Sequence, residues 1–217
     1  MSGPPKKRAR AQADKLVRRS EILRAAAQAF ASSPYAAVTM AQVAGHAGLA
    51  KGTVYLYFAT KEALFLQLVI DALAVWFAEV AGALERAPAT LAPEALARLL
   101  VATLSARTEL TSLLPILHPV LEQNIDDELA LSFKQRLHEQ TAAAGGLLER
   151  RFPGFAAGEG MRFLLRLHAL VIGLHAMAHP SPTVARILAL PALAALRIDF
   201  ASELEGAVAA MLRGWQR

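Results

Sequence analysis

The sequence contains no cysteine, which excludes disulfides, thiolate metal sites and cysteine nucleophiles together. It has no run of about 18 uncharged apolar residues, the length a spanning helix needs. The nearest stretch, residues 167–177, carries His168 and His175. The basic residues 4–10 are not followed by an apolar run ending in a small-residue cleavage site, so no secretory signal is legible. The expectation is an intracellular, cytoplasmic protein without a membrane partner. Strand signals are missing as well, since no stretch of alternating β-branched residues stands out. Charged residues make up only 19% and apolar residues 55%, too apolar for a disordered tail and enough for a core in 217 residues. That length fits one large or two small domains.

What charge there is lies unevenly. Residues 1–62 hold ten lysines and arginines against three carboxylates, whereas the remaining 155 residues hold 13 against 15. The net charge of +5 therefore hides a strongly basic first third and a slightly acidic remainder. Such asymmetry is what contact with nucleic acid or an anionic membrane requires, and a solvated basic tail is the plainer alternative.

Glycine, proline and polar breaks divide the chain into helices, so the expected fold class is all-α. The first helix spans residues 15–32, with Ile22, Leu23, Ala26, Ala27 and Phe30 at helical spacing, and ends at Ser33, Pro34 and Tyr35. Thr39 followed three residues later by Gln42 spells a capping box, and a short helix starts there. It ends before Gly48, which supplies a left-handed turn at no steric cost. A second short helix covers residues 50–58. Thr60 caps a long helix over residues 61–84 whose broad apolar stripe includes Leu64, Phe65, Leu68, Trp76, Phe77 and Val80. Further helices fall at residues 93–107, 110–117, 126–151, 161–179 and 199–212. Gly145 and Gly146 mark a weak point in the third of these, and residues 180–198 form a proline-rich loop with room for a helical turn or two.

Two short helices joined by a glycine turn form a helix-turn-helix arrangement. The second opens with Lys51, Gly52 and Thr53, small or polar residues that allow approach to base edges or phosphates, while Val54 and Phe58 face back into the domain. With the basic charge attached, DNA binding is the favoured function.

Residues 38–58, from Val38-Thr39-Met40-Ala41-Gln42-Val43-Ala44 through Ala47-Gly48-Leu49-Ala50 to Lys51-Gly52-Thr53-Val54-Tyr55-Leu56-Tyr57-Phe58, followed by Lys61-Glu62-Ala63-Leu64, resemble the signature of TetR-family bacterial transcriptional regulators. The likeness is close over residues 15–65 and beyond them rests on length and helix order. It implies a basic flexible arm (residues 1–14), a helix-turn-helix DNA-binding domain (15–62) and a ligand-binding and dimerisation domain (63–217). It also implies that Thr39, Met40, Lys51, Gly52, Thr53, Tyr55, Tyr57 and Lys61 meet DNA, with Lys61 clamping a phosphate. Met40 stands where relatives often carry a polar base reader, and one ring of the pair Tyr55 and Tyr57 has packing as its alternative role. The implied partners are a palindromic double-stranded operator, a second copy of the chain, and a small apolar or amphipathic effector that releases a repressor from DNA.

For the effector pocket the residues expected are Trp76, Phe77, Leu104, Leu113, Leu117, Phe133 and Leu137, with His118, Glu122 or His138 as polar handles. For the dimer interface they are Leu164, Leu165, Val171, Ile172, Phe200, Leu204, Val208 and Met211, on the last two long helices. His168, His175 and His179 share one helical face, but no carboxylate stands beside them, so no metal and no cofactor is expected. Enzymatic chemistry finds no nucleophile elbow, phosphate loop or acidic cluster. A small-molecule carrier that lost its DNA is opposed by the intact Lys51-Gly52-Thr53 and Lys61.

Overall fold

The computed structural model describes residues 5–215. Among the described residues there is no strand, and the chain divides into two compact units, one up to Leu68 and one from Val69 onward.

In the first unit, α1 (Pro5–Ser32) begins ten residues earlier than its apolar spacing indicates. Residues 5–14 are almost all Lys, Arg, Ala and Gln, good helix formers behind a proline that needs no helical partner for its nitrogen. The expected arm is thus helical from Pro5, and its residues 1–4 lie outside the described residues. A 3-10 turn, Tyr35–Ala37, leads into α2 (Met40–His46) and α3 (Lys51–Tyr55). Ile22 and Ala26 of α1, Val43 and Ala44 of α2, Val54, and Leu64 and Phe65 form the core. The Phe30 ring meets Phe65 edge-on at 5.5 Å. α4 (Lys61–Arg86) is one uninterrupted helix, whose first two turns belong to this unit and whose remainder belongs to the next.

The second unit adds α5 (Pro93–Ser105), α6 (Thr108–Ile116), α7 (Asp127–Arg151), α8 (Glu159–Ala178), α9 (Pro182–Leu188) and α10 (Phe200–Trp215). Between α6 and α7 runs a single π-helical turn, Leu117–Leu121. Pro119 has no N–H to return to residue 115, so the regular ladder cannot close there and the turn widens.

α7 passes straight through the glycine pair expected to weaken it. The reason is a close crossing with α8. A Cβ on Gly145 would lie 2.4 Å from the backbone nitrogen of Met161, and one on Gly160 would lie 2.2 Å from the carbonyl oxygen of Gly145. Glu149 fixes the same junction by accepting the N–H groups of Gly158 and Gly160, each at 2.9 Å. α10 buries Leu204, Val208 and Leu212 and packs against α5 and α8. Arg213 reaches Glu94 of α5 at 2.6 Å. Residues 180–198 are more ordered than the expected loop, forming α9 and a 3-10 turn (Pro191–Leu196), each started by a proline, yet neither buries a residue.

By length and composition, α4 and α8 are long and apolar enough to cross a membrane, and α5 with the segment from Thr108 to Leu121, bent by 87°, would add a broken span. The apolar character lies in whole helices rather than in residues 167–177. In α4, 56% of the apolar window is buried inside the protein, and Asp71 interrupts it.

Candidate nucleic-acid interface and cavity

The helix-turn-helix forms around local bonds. Thr39 Oγ1 accepts the N–H of Gln42 at 3.2 Å, and Gln42 Oε1 accepts the N–H of Thr39 at 2.8 Å, the expected capping box. Gly48 makes the turn at φ +65°. Lys51 and Gly52 are exposed at the start of α3, Thr53 is half-buried, and Val54 is buried beneath them. A Cβ at Gly52 would meet nothing within 4 Å. Glycine inside a helix costs about 1 kcal/mol relative to alanine, and nothing within the domain requires it here. What it provides is a backbone that another molecule can approach closely.

α3 ends at Tyr55, three residues before its expected end. Tyr55 is exposed, with the Lys51 ammonium 5.8 Å from its ring centre, and Tyr57 is half-buried. Leu56, which the sequence reading passed over, is 81% exposed beside them.

Two expected DNA residues face elsewhere. Met40 is buried, because the helical repeat of α2 groups it with Val43 and Ala44 on the core side, so it is not a base reader. Lys61 donates to the carbonyl oxygens of Tyr35 and Val38, both at 3.0 Å, and lies 3.9 Å from the centre of the Tyr35 ring. Its first role is therefore to hold the turn that delivers Thr39. Tyr35 itself donates to Glu62 at 2.7 Å, and burial together with that carboxylate pushes its phenol well above the ordinary range. No spacing rule pairs residue 35 with residues 61 and 62, so this cluster was not legible in advance.

In the second unit, two adjoining spaces share Leu137, Thr141, Leu165 and His168 as common wall. The inner one is apolar, lined also by Trp76, Phe77 and Leu104, and has about 40 Å³ of free space. The outer one has about 360 Å³ and is lined also by His118, Lys134 and His138 and by Ala169 and Ile172 of α8. Six of the ten pocket residues expected in the effector site are thereby brought together: Trp76, Phe77, Leu104, His118, Leu137 and His138. Leu113, Leu117 and Phe133 instead point into the core, where they are buried without lining either space, because the turn of their helices faces them inward. His168, considered at first only as a metal ligand, is the residue the expectation missed.

His168 Nε2 is buried and has no hydrogen-bond partner among the described residues. Burial, and then the neighbouring His118, hold its imidazole down at about 4. The two rings lie 5.2 Å apart. Glu122 takes Lys134 at 2.8 Å and His118 Nδ1 at 3.3 Å. Further along α8, His175 Nδ1 lies 3.2 Å from the carbonyl oxygen of Thr111, and its ring is 4.1 Å from that of His179. Among the described residues no group of three or more His, Asp or Glu converges to hold a metal.

Of the expected dimer residues, Leu164, Val171, Leu204 and Val208 are buried within the chain itself, since the apolar stripes of α8 and α10 pack inward on their neighbours. They are not available to a partner. Leu165 is exposed, and Ile172, Phe200 and Met211 are half-buried. The open faces consist instead of Leu165, Ala169, Gly173 and Met177 on α8 and Ser202, Gly206, Ala210 and Gly214 on α10, each set at a spacing of four.

Residues 22–68 match the family described as bacterial regulatory proteins, tetR family, and residues 71–217 match the tetracyclin repressor-like C-terminal domain. The chain belongs to the TetR family. It is therefore a DNA-binding transcriptional regulator, of a family whose members are transcription factors and not enzymes. Its fold is that of several solved TetR-type regulators. FadR of Bacillus halodurans, a fatty acid degradation regulator, is 20% identical with a TM-score of 0.55, covering 98% of this chain and 96% of that one. The repressor AlkX of Dietzia sp., implicated in biodegradation of n-alkanes, is 22% identical with a TM-score of 0.54, covering 90% and 95%. FadR of Bacillus subtilis, in complex with stearoyl-CoA, is 17% identical with a TM-score of 0.54, covering 89% and 96%. No curated protein sequence matches this TetR-family chain significantly.

Proposed function

We propose that this regulator is a cytoplasmic repressor that binds a palindromic operator as a dimer and is released by a small apolar or amphipathic effector. The observation that carries the reading is the construction of α4. Its first residue, Lys61, bonds the turn in front of Thr39, while Trp76 and Phe77 of the same helix line the apolar space. An occupant that displaces those rings acts directly on the helix that positions α2 and α3. A dimer reads a two-fold site with recognition helices about 34–36 Å apart, so a change at α4 that alters this spacing costs operator contacts.

In this reading Lys51, Gly52 and Thr53 meet the major groove, Tyr55 and Tyr57 meet phosphates, and the N–H groups behind Thr39 add a backbone contact. Lys61 adds at most its third ammonium hydrogen. The dimer forms through the small-residue faces of α8 and α10, which allow close helix approach and leave apolar area otherwise open to water. The B. subtilis FadR complex with stearoyl-CoA is a case of this fold with an acyl ligand. The apolar lining of the inner space supports an apolar ligand here.

The test is a titration of fluorescent operator DNA with the full chain, repeated across a broad set of apolar and amphipathic compounds. At least one compound is expected to weaken operator binding by ~10-fold or more, the usual scale of coupling between two sites. A set that never changes the affinity defeats effector release while leaving DNA binding intact.

A further inference from the structure

The cavity has a chemical polarity that narrows its ligand. Its inner end is wholly apolar, with Leu73, Trp76, Phe77, Leu104, Leu164 and Val171 on the wall. At its outer end stand three imidazoles, His118, His138 and His168, and the Lys134 ammonium. The acid beside them is Glu122, which is engaged by both Lys134 and His118. His168, which lines both spaces, has a buried Nε2 with no hydrogen-bond partner among the described residues. A buried polar atom without a partner is disfavoured, and a ligand that supplies the partner relieves it. The π-helical turn that carries His118 is the type of irregularity often found at functional sites.

We propose that this cavity binds an amphipathic carboxylic acid, its carboxylate held by His168 Nε2 and by the basic groups of the mouth, and its chain laid along the inner wall. The proposal rests on the effector reading above and names the class of compound for it. A neutral hydroxyl would also satisfy Nε2, but it would leave unused the excess of basic groups over the one carboxylate. The groups facing His168 are His118 and Glu122 from the segment after α6, and Lys134 and His138 from α7. His168 starts neutral, so an imidazolium–carboxylate pair, in place of a hydrogen bond from a neutral Nε2–H, draws one proton from solvent. Neutral imidazole, ligand carboxylate and that proton together give an imidazolium–carboxylate pair, with no other bond made or broken. Burial holds the empty-site imidazole at about 4, and the bound anion raises it.

The experiment is calorimetric titration of the full-length protein with dodecanoate, dodecan-1-ol and dodecanoyl-CoA between pH 6 and 8, in buffers of different ionisation enthalpy. The acid stays ionised throughout this range. Expected is binding of dodecanoate ~10-fold or more tighter than the alcohol at pH 6, a charge-assisted bond being the difference. Also expected are proton uptake on binding and affinity that falls as the pH rises. His168→Gln, which keeps a hydrogen-bonding side chain of similar size, should abolish the proton uptake and remove most of the preference for acid over alcohol. Lys134→Met should lower acid affinity while the uptake remains. Equal affinity for acid and alcohol, uptake unchanged in H168Q, tighter binding of the thioester without proton uptake, or no binding of any of the three overturns the proposal. Operator titration separates it from the reading it rests on. Dodecanoate that binds without weakening operator affinity leaves this site standing and counts against release, whereas another compound that releases DNA when dodecanoate does not bind does the reverse.

Discussion

In the unit up to Leu68, the polar side chains that shape the helix-turn-helix are spent inside the domain. Thr39 and Gln42 satisfy each other, Lys61 holds two carbonyls, and Tyr35 holds Glu62. In the unit from Val69 onward, His168 and His175 each bury a ring nitrogen with no partner among the described residues, His168 beside the apolar space. The first unit presents a preformed surface whose open feature is a side-chain-free backbone at Gly52. The second carries unmet demands that a ligand can meet. In the proposed reading, a preformed reader and a ligand site are joined by one helix, α4.

That contrast yields tests of decreasing size. Gly52→Leu adds a side chain where the domain has open space, so the fold should be kept and melting should shift little, while operator affinity drops by ~100-fold or more through lost groove contact. Retained affinity would mean that the start of α3 does not approach DNA. Gly145→Ala acts only in the second unit, forcing a methyl group against the backbone at Met161. It should cost about 1–3 kcal/mol in urea unfolding, the usual range for overpacking, and a neutral result would show that the α7–α8 crossing relaxes freely.

Lys61→Met separates two roles of one lysine. As the holder of the turn before Thr39, its loss should reduce operator affinity by ~10-fold at every salt concentration. As a phosphate contact, its loss would instead lower the slope of log affinity against log salt by about one. The smallest effect concerns pH. His168 has a native value of about 4 against the ordinary 6.5, so the unfolded chain binds the extra proton first as the pH falls. Stability from its neutral burial is complete above about pH 7 and declines as the pH drops through 6.5 toward 4. Urea midpoints measured from pH 7.5 to 5 should fall less steeply in His168→Gln, and an unchanged slope would show that His168 is not the group responsible.

The features legible in the sequence are those set by local chemistry. The capping box at Thr39, the turn at Gly48, and the proline that opens α5 all act within a few residues. The basic, apolar and family patterns are similarly local. What stayed hidden depends on partners distant in the chain. Met40, Leu113, Leu117 and Phe133 are apolar residues whose role turns on which way each helix faces. Leu164, Val171, Leu204 and Val208 have the pattern of an interface, yet packing within the chain consumes them. Gly145 looks like a helix breaker until Gly160, fifteen residues later, is found against it. The helix over residues 5–14 was missed for the opposite reason, since its propensity is high but it has no apolar stripe to mark it.

The central claim, a two-fold reader that approaches DNA through the start of α3, is tested most directly by selecting binding sites from a random-sequence DNA pool with the full chain and in parallel with Gly52→Leu. The account predicts a palindrome for the natural sequence, with half-sites one helical turn or a multiple of it apart, and no enriched sequence for the variant. Failure of the natural chain to enrich any motif at low salt, or recovery of the same palindrome by both proteins, would contradict it.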